Sequence, residues 1–342
     1  MRRYFLVGFT IFILGYCASL VILSYQSEKR VQSMESLIVV GGKILQKESG
    51  VPIILRGVLI DYFRGHNHKF ASSRENIQGQ IAQIKRLLPY GINCVGVYIS
   101  GYTGILDDLP ELDQLISFAQ ANGVYVYLMP VAYEFDATVR NPSIGEDGFE
   151  DLSNLLQRLT IRYQMYPNVL FGFGAEPSEE VETFESWNEK QILLAKKIRS
   201  LNPDAVLLIT SFYTRMERYL VEPFPFENVI YAGGGYISAN DKGAIDNPEY
   251  VKKQIVNVAE QMDDPRIASM LIEFGGHYGA DFSSPIDLDS IQKILQRIVA
   301  KKRHFTMYKL SSTFDGDGLA VLDEQWKLTK RGAVLIEALN AF

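Results

Sequence analysis

The sequence predicts an α/β fold: a (β/α)8 TIM barrel preceded by a short β-hairpin and an N-terminal transmembrane helix. Three observations carry that expectation. Beyond residue 37 the chain offers eight short, β-branched apolar runs. An amphipathic stretch, or its remnant, follows each run, which is the alternation of βα units. The runs are near-continuously apolar, as parallel strands covered on both faces must be. A doubly wound sheet is the competing arrangement, but it usually opens on a glycine-rich phosphate turn, and Gly57-Val58-Leu59 offers none.

At the N-terminus, Met1-Arg2-Arg3 precedes an uncharged apolar run from Tyr4 to Tyr25. About 20 such residues span a bilayer, whereas a cleaved signal has a shorter apolar core and a small-residue cleavage site. Residues 1–26 therefore read as an uncleaved membrane anchor, with a long signal peptide as the alternative. Tyr16 before Cys17 argues against a lipoprotein, because that site takes a small side chain. Arg2 and Arg3 favour a cytoplasmic N-terminus over the weaker opposing bias of Lys29 and Arg30. That orientation puts a polar linker, residues 27–36, and the barrel domain, residues 37–342, outside the cytoplasm.

The hairpin is expected from Leu37-Ile38-Val39-Val40 and Lys43-Ile44-Leu45 flanking Gly41-Gly42, a pair that tolerates positive φ. The eight strands then fall at Ile53–Ile60, Asn93–Ile99, Val124–Pro130, Val169–Gly174, Val206–Thr210, Val229–Ala232, Ser269–Phe274 and Phe305–Ser311. Helical periodicity marks Ile77–Leu88, Leu112–Ala121, Phe149–Tyr166, Ser186–Leu201, Tyr250–Met262, Ile291–Lys302 and Thr329–Leu339. Only a poor helix, Thr214–Leu220, separates the fifth and sixth strands. Gly233-Gly234-Gly235 reads as a tight exit from the sixth strand.

Composition removes several function classes. With 47% hydrophobic residues, 22% charged and a formal net charge of −6, the chain is neither disordered, collagen-like nor a multi-span membrane protein. The acidic balance excludes a nucleic-acid partner, and the basic run Lys301-Lys302-Arg303 reads as a helix end. Cys17 and Cys94 lie in the anchor and a buried strand, which rules out a mutual disulfide. No cofactor or metal is assigned. His66 and His68 with Asp61 lack a further ligand, and Asp315-Gly316-Asp317-Gly318 lacks the later acid of a calcium loop. Gly-x-Ser-x-Gly is absent.

In a barrel the reacting groups come from the C-terminal ends of the strands. Those ends supply Asp61 and Tyr62, Tyr98 and Ser100, Tyr133 and Glu134, Glu176, Ser211 and Tyr213, Tyr236, Glu273 and His277, and Asp315. Glu176 and Glu273 stand out, each an acid at or just past a buried strand, where an unpaired charge is costly. Strands four and seven lie well apart in the ring, so their tips can face each other. Two carboxyls about 5 Å apart run a retaining glycosidase reaction, one as nucleophile and one as acid then base. A structural ion pair with an arginine such as Arg56 is the competing explanation.

Several segments resemble glycoside hydrolase family 5 and the wider retaining clan-A barrels, over about residues 37 to 340. Gly50-Val51-Pro52-Ile53-Ile54-Leu55-Arg56-Gly57-Val58 is similar to that family's first strand. Gly91-Ile92-Asn93-Cys94-Val95 is similar to its second and Gly123-Val124-Tyr125-Val126 to its third. Tyr166-Pro167-Asn168-Val169 running to Ala175-Glu176-Pro177 resembles the passage that carries the acid/base. Ile198-Arg199 to Asn202-Pro203 resembles the following helix, and Ile272-Glu273-Phe274-Gly275 the nucleophile passage. The resemblance implies Glu176 as acid/base, Glu273 as nucleophile and Tyr236 as the tyrosine that donates to the nucleophile.

Four departures accompany it. The family's arginine after the second-strand motif is Gly96, its asparagine before the acid/base is Ala175, and its sixth-strand histidine is Gly234. The eighth-strand tryptophan is missing from Leu310-Ser311-Ser312. Tyr98, Tyr133, Glu134 and His277 are candidate replacements, and Tyr62 joins Tyr98, Tyr133, Tyr236 and His277 as a candidate sugar contact. The expected function is a retaining glycoside hydrolase or transglycosylase acting on a β-linked oligo- or polysaccharide, held at the membrane through its N-terminal helix. A catalytically weak barrel that binds glycan or serves as a surface scaffold is the second reading.

Overall fold

A computed structural model describes residues 34–61, 77–100, 109–131, 146–174, 183–210, 218–238, 247–260, 262–278, 285–308, 310, 320–323 and 325–342. The chain divides into two units, Met1–Glu35 and Ser36–Phe342, and the second holds the fold that follows. The expected membrane anchor lies outside the described residues. Among the described residues no helix is long and apolar enough to cross a membrane.

Strands β1 (Leu37–Val40) and β2 (Lys43–Gln46) pair antiparallel, with Val40 opposite Lys43. Gly41 and Gly42 turn between them at φ 54° and 75°, the double positive φ of a two-residue hairpin turn. A side chain at position 42 would also strike the carbonyl oxygen of Pro265, 2.2 Å from its Cβ. The hairpin thereby packs on the loop that leads into the seventh barrel strand.

The barrel strands are β3 (Arg56–Asp61), β4 (Cys94–Ser100), β5 (Tyr125–Val131), β6 (Val169–Gly172), β7 (Leu207–Thr210), β8 (Val229–Ser238), β9 (Ser269–Tyr278) and β10 (His304–Met307). All eight pair in parallel. Strand β10 pairs with both β9 and β3, which closes the ring as expected. The helices are α1 (Ile77–Leu87), α2 (Leu109–Ala121), α3 (Glu146–Tyr163), α4 (Phe184–Leu201), α5 (Arg218–Val221), α6 (Pro248–Glu260), α7 (Pro285–Ala300) and α8 (Lys330–Leu339). Four-residue α5 is the remnant expected after the fifth strand.

Alternation along each strand separates two environments. In β4, Val95, Val97 and Ile99 join the apolar layer shared with Ile84 of α1 and Leu115 of α2. Cys94, Gly96 and Tyr98 therefore turn to the barrel interior. Asn93, just before β4, pins the first two strands together: its Oδ1 accepts from the Arg56 N–H at 2.8 Å and its Nδ2 donates to Ile54 O at 2.9 Å.

Some boundaries move. The first strand begins at Arg56 rather than Ile53, because Pro52 bridges back to Leu45 of the hairpin. The eighth ends at Met307. The largest correction is β8, which runs through Gly233-Gly234-Gly235 to Ser238 instead of ending before them. Those glycines stay in the sheet by pairing with β9 across two register shifts. The basic run follows α7, where Lys301 meets Glu260 and Asp263 and the Arg303 guanidinium donates to Ala259 O and Ser269 Oγ.

Candidate active site

Strand β9 carries Glu273, and its irregular register decides where that side chain points. Gly233 of β8 lies opposite Leu271, but Gly234 lies opposite Glu273, so Ile272 is an extra residue. Uninterrupted alternation would send Glu273 to the same side as Leu271, which packs in the outer layer. The inserted residue reverses the parity: Leu271 and Phe274 both belong to the outer layer, and Glu273 between them turns inward. Bulges commonly re-aim a side chain in this way.

Inside, the carboxylate has a phenol at each oxygen. Tyr98 of β4 donates to Glu273 Oε2 at 2.6 Å, and Tyr236 of β8 donates to Oε1 at 2.7 Å. Glu273 is 8% exposed, deep enough for each donor to count strongly. Hydrogen bonds to the charged form of an acid favour that form. An oriented, buried carboxylate is suited to attack a carbon centre.

Below the carboxylate lies a second cluster, formed by residues the sequence reading passed over. Tyr127 of β5 donates to the carbonyl of Ile272 at 3.0 Å, and the Thr306 hydroxyl of β10 donates to the same carbonyl at 2.7 Å. The two hydroxyls are themselves 2.7 Å apart. The Tyr127 ring lies over Gly96, where an added Cβ would sit 2.1 Å from its Oη. Burial pushes the Tyr127 phenol well above its usual pKa, and the Glu273 charge adds to the shift. The ring therefore stays a protonated donor.

Arg56, the arginine offered for an ion pair, is engaged elsewhere: its guanidinium donates to Gly91 O at 2.8 Å and its Cζ lies 5.0 Å from the centre of the Phe342 ring. Buried Cys94 offers no reactive thiolate, because burial pushes its thiol pKa far up.

Of the expected site residues, Glu273, Tyr98 and Tyr236 come together. His277 is placed in β9 opposite Ile237, but its side chain is outside the description. Glu176, Tyr62 and Tyr133 lie outside the described residues, as do His66, His68 and Asp315. The approach to Glu176 is fixed as far as Gly174, whose carbonyl accepts from Thr210 Oγ1 at 2.6 Å. Gly174 adopts φ 152°, a conformation that L side chains rarely take, and a Cβ there would meet the Trp187 ring at 3.2 Å.

Tyr127 was the residue to find. Its signal was a small residue, Gly96, facing inward beside a strand rich in tyrosine, which means that a large neighbour fills the gap.

Comparison with known proteins bears on the fold and the family. The profile of Cellulase (glycosyl hydrolase family 5) matches residues 63–313. A search of curated proteins finds no match. Among solved structures, a β-glucanase from Saccharophagus degradans in complex with cellotetraose superposes with a TM-score of 0.71 at 18% identity, covering 91% of this chain and 94% of that one. An endocellulase from Pyrococcus horikoshii, also with cellotetraose, gives 0.69 at 17% identity, covering 90% and 99%. The catalytic domain of a Thermobifida fusca endoglucanase gives 0.66 at 16%, covering 91% and 99%. At these identities the superpositions speak for the barrel, and the profile speaks for the family. The chain belongs to glycosyl hydrolase family 5 and is a glycoside hydrolase acting on O-glycosyl bonds.

Proposed function

We propose that this enzyme cleaves β-linked glucans with retention of configuration, Glu273 attacking the anomeric carbon and Glu176 serving as acid and then base. One observation carries the reading: Glu273, at the mouth end of the seventh barrel strand, receives a phenol at each oxygen. A barrel that only bound glycan has no need for a buried carboxylate so oriented. Tyr236 and Tyr98 hold the nucleophile, and Tyr62, Tyr133 and His277 are the candidate sugar contacts. The choice of β-glucan is supported by the cellotetraose complexes of structurally similar enzymes.

In the first step Glu273 forms an ester with the sugar while Glu176 protonates the departing oxygen. In the second, Glu176 takes a proton from water, or from an acceptor sugar hydroxyl in transglycosylation, whose oxygen bonds to the anomeric carbon as the ester bond breaks and frees the Glu273 carboxylate. The uncharged run from Tyr4 to Tyr25 supports a membrane-held enzyme working outside the cytoplasm.

The test is reducing-end release from soluble β-glucans by the full-length protein. Glu273→Gln should lower kcat by at least about 10⁴-fold. Glu176→Gln should cost about 10²–10⁴-fold on polysaccharide yet largely spare aryl glycosides, whose leaving groups need no proton. Equal losses of Glu176→Gln on both substrates would overturn the assignment of roles.

A further inference from the structure

We infer that Tyr127 is a positioning residue for Glu273, acting with Thr306 through the carbonyl of Ile272. The inference rests on the proposed role of Glu273, and it adds the device that aims it. Ile272 is the inserted residue of β9, and hydroxyls from β5 and β10 engage its carbonyl. Three contacts join these three oxygens, but the two hydroxyls carry only one proton each. Either both donate to the carbonyl, or one donates to it and the other supports the donor. In both arrangements the carbonyl is held from across the barrel.

Holding that oxygen holds Glu273. The Ile272 carbonyl and the Glu273 Cα lie in one planar peptide unit, so fixing the oxygen fixes the N–Cα bond about which the Glu273 side chain is set and limits the directions it can take. Rotation of that plane would carry the carboxylate away from both Tyr98 and Tyr236, which it meets at 2.6 and 2.7 Å.

The space for this device is made by Gly96, over which the Tyr127 ring lies. Even an alanine at 96 would displace the phenol. The glycine at 96 and the tyrosine at 127 are thus two halves of one arrangement: the tyrosine occupies the volume that a side chain at 96 would take. Catalysis is sensitive to such support, because a misplacement of about 1 Å costs on the order of 10²-fold in rate.

The experiment compares full-length Tyr127→Phe, Thr306→Val, the double variant and Thr306→Ser on a soluble β-glucan, with kcat referred to folded protein. Tyr127→Phe keeps the ring over Gly96 and leaves Thr306 as donor, so kcat should fall roughly three- to tenfold with KM unchanged. The double variant loses both donors and should fall about 100-fold in kcat, again at unchanged KM. Thr306→Ser keeps the hydroxyl and should retain wild-type turnover. A crystal structure of the double variant should show the Glu273 carboxylate withdrawn from Tyr98 and Tyr236.

Lower thermal stability at wild-type kcat would overturn the inference and leave Tyr127 a packing residue. Should the double variant fail to fold, Tyr127→Phe alone decides, since unchanged kcat there is the same refutation. Should Glu273→Gln leave turnover intact, the nucleophile reading falls. The crystal structure still judges the positioning, and a carboxylate in its original place would refute it.

Discussion

Among the described residues two carboxylates are buried, and the protein holds them by different chemistry. Asp287, in the first turn of α7, is 0% exposed and receives a forked guanidinium. Arg331 of α8 donates to it through Nη2 at 2.9 and 2.8 Å and through Nε at 3.2 Å. Glu273 is 8% exposed and receives phenols at both oxygens. In the first arrangement charge meets charge, both partners are enclosed, and two outer helices are stapled together. In the second, neutral phenols from two barrel strands orient the acid. Burial alone therefore does not tell the two acids apart, whereas the chemistry of their partners does.

Opposite losses in the two places would sharpen this contrast most. Asp287→Asn leaves a buried guanidinium without its counter-charge and should cost about 3–5 kcal/mol of stability, read as a lower urea midpoint, with kcat of the folded fraction unchanged. Glu273→Gln should abolish turnover and move the midpoint little. A Glu273→Gln variant that unfolds as readily as Asp287→Asn would place Glu273 in the structural class.

Next in size are the two phenols. A hydrogen bond to a charged group is worth about 1.5–3 kcal/mol, so Tyr98→Phe and Tyr236→Phe should each slow kcat roughly ten- to 100-fold. Each should also move the acid side of the pH–activity profile upward, because a carboxylate that loses a donor protonates more readily. A change confined to KM would return Tyr98 to the role of a sugar contact.

The smallest effect belongs to the opposite end of the barrel. His304 Nδ1 accepts the Leu55 N–H at 3.0 Å, and burial, with the neighbouring Arg303 charge, lowers its pKa from 6.5 to about 4. The folded state favours the neutral ring. Its contribution to stability is whole above about pH 6.5 and is lost as pH falls toward about 4. His304→Asn, which can keep an acceptor for Leu55, should flatten the dependence of the urea midpoint on pH across that window. An unchanged slope would remove His304 from the acid response.

How much of this the sequence disclosed follows from the range of each interaction. The eight strands and the hairpin were readable because hydrophobic runs and the Gly41-Gly42 turn are local. Helix starts were read late, at Phe149 for Glu146 and Ile291 for Pro285, because polar first turns carry no apolar period. The bulge at Ile272 was not readable: Leu271-Ile272 is apolar whichever way each residue points, so an inserted residue leaves no mark. Gly96 looked like a plain loss because Tyr127, which fills its place, sits on the next strand. Tyr98 was legible as a strand-tip hydroxyl, but its hydrogen bond to Glu273 on a distant strand was not. Pairing across strands is a property of register, and register is what a single chain leaves least visible.

The central claim is that Glu273 is the attacking group. It is tested most directly by incubating the full-length enzyme with a 2-fluoro β-glucoside bearing a good leaving group, followed by proteolysis and mass spectrometry. The account predicts one sugar per chain, on the peptide containing Glu273, with loss of activity in step with labelling. A label on another residue, in an enzyme that turns over β-glucan, would contradict it.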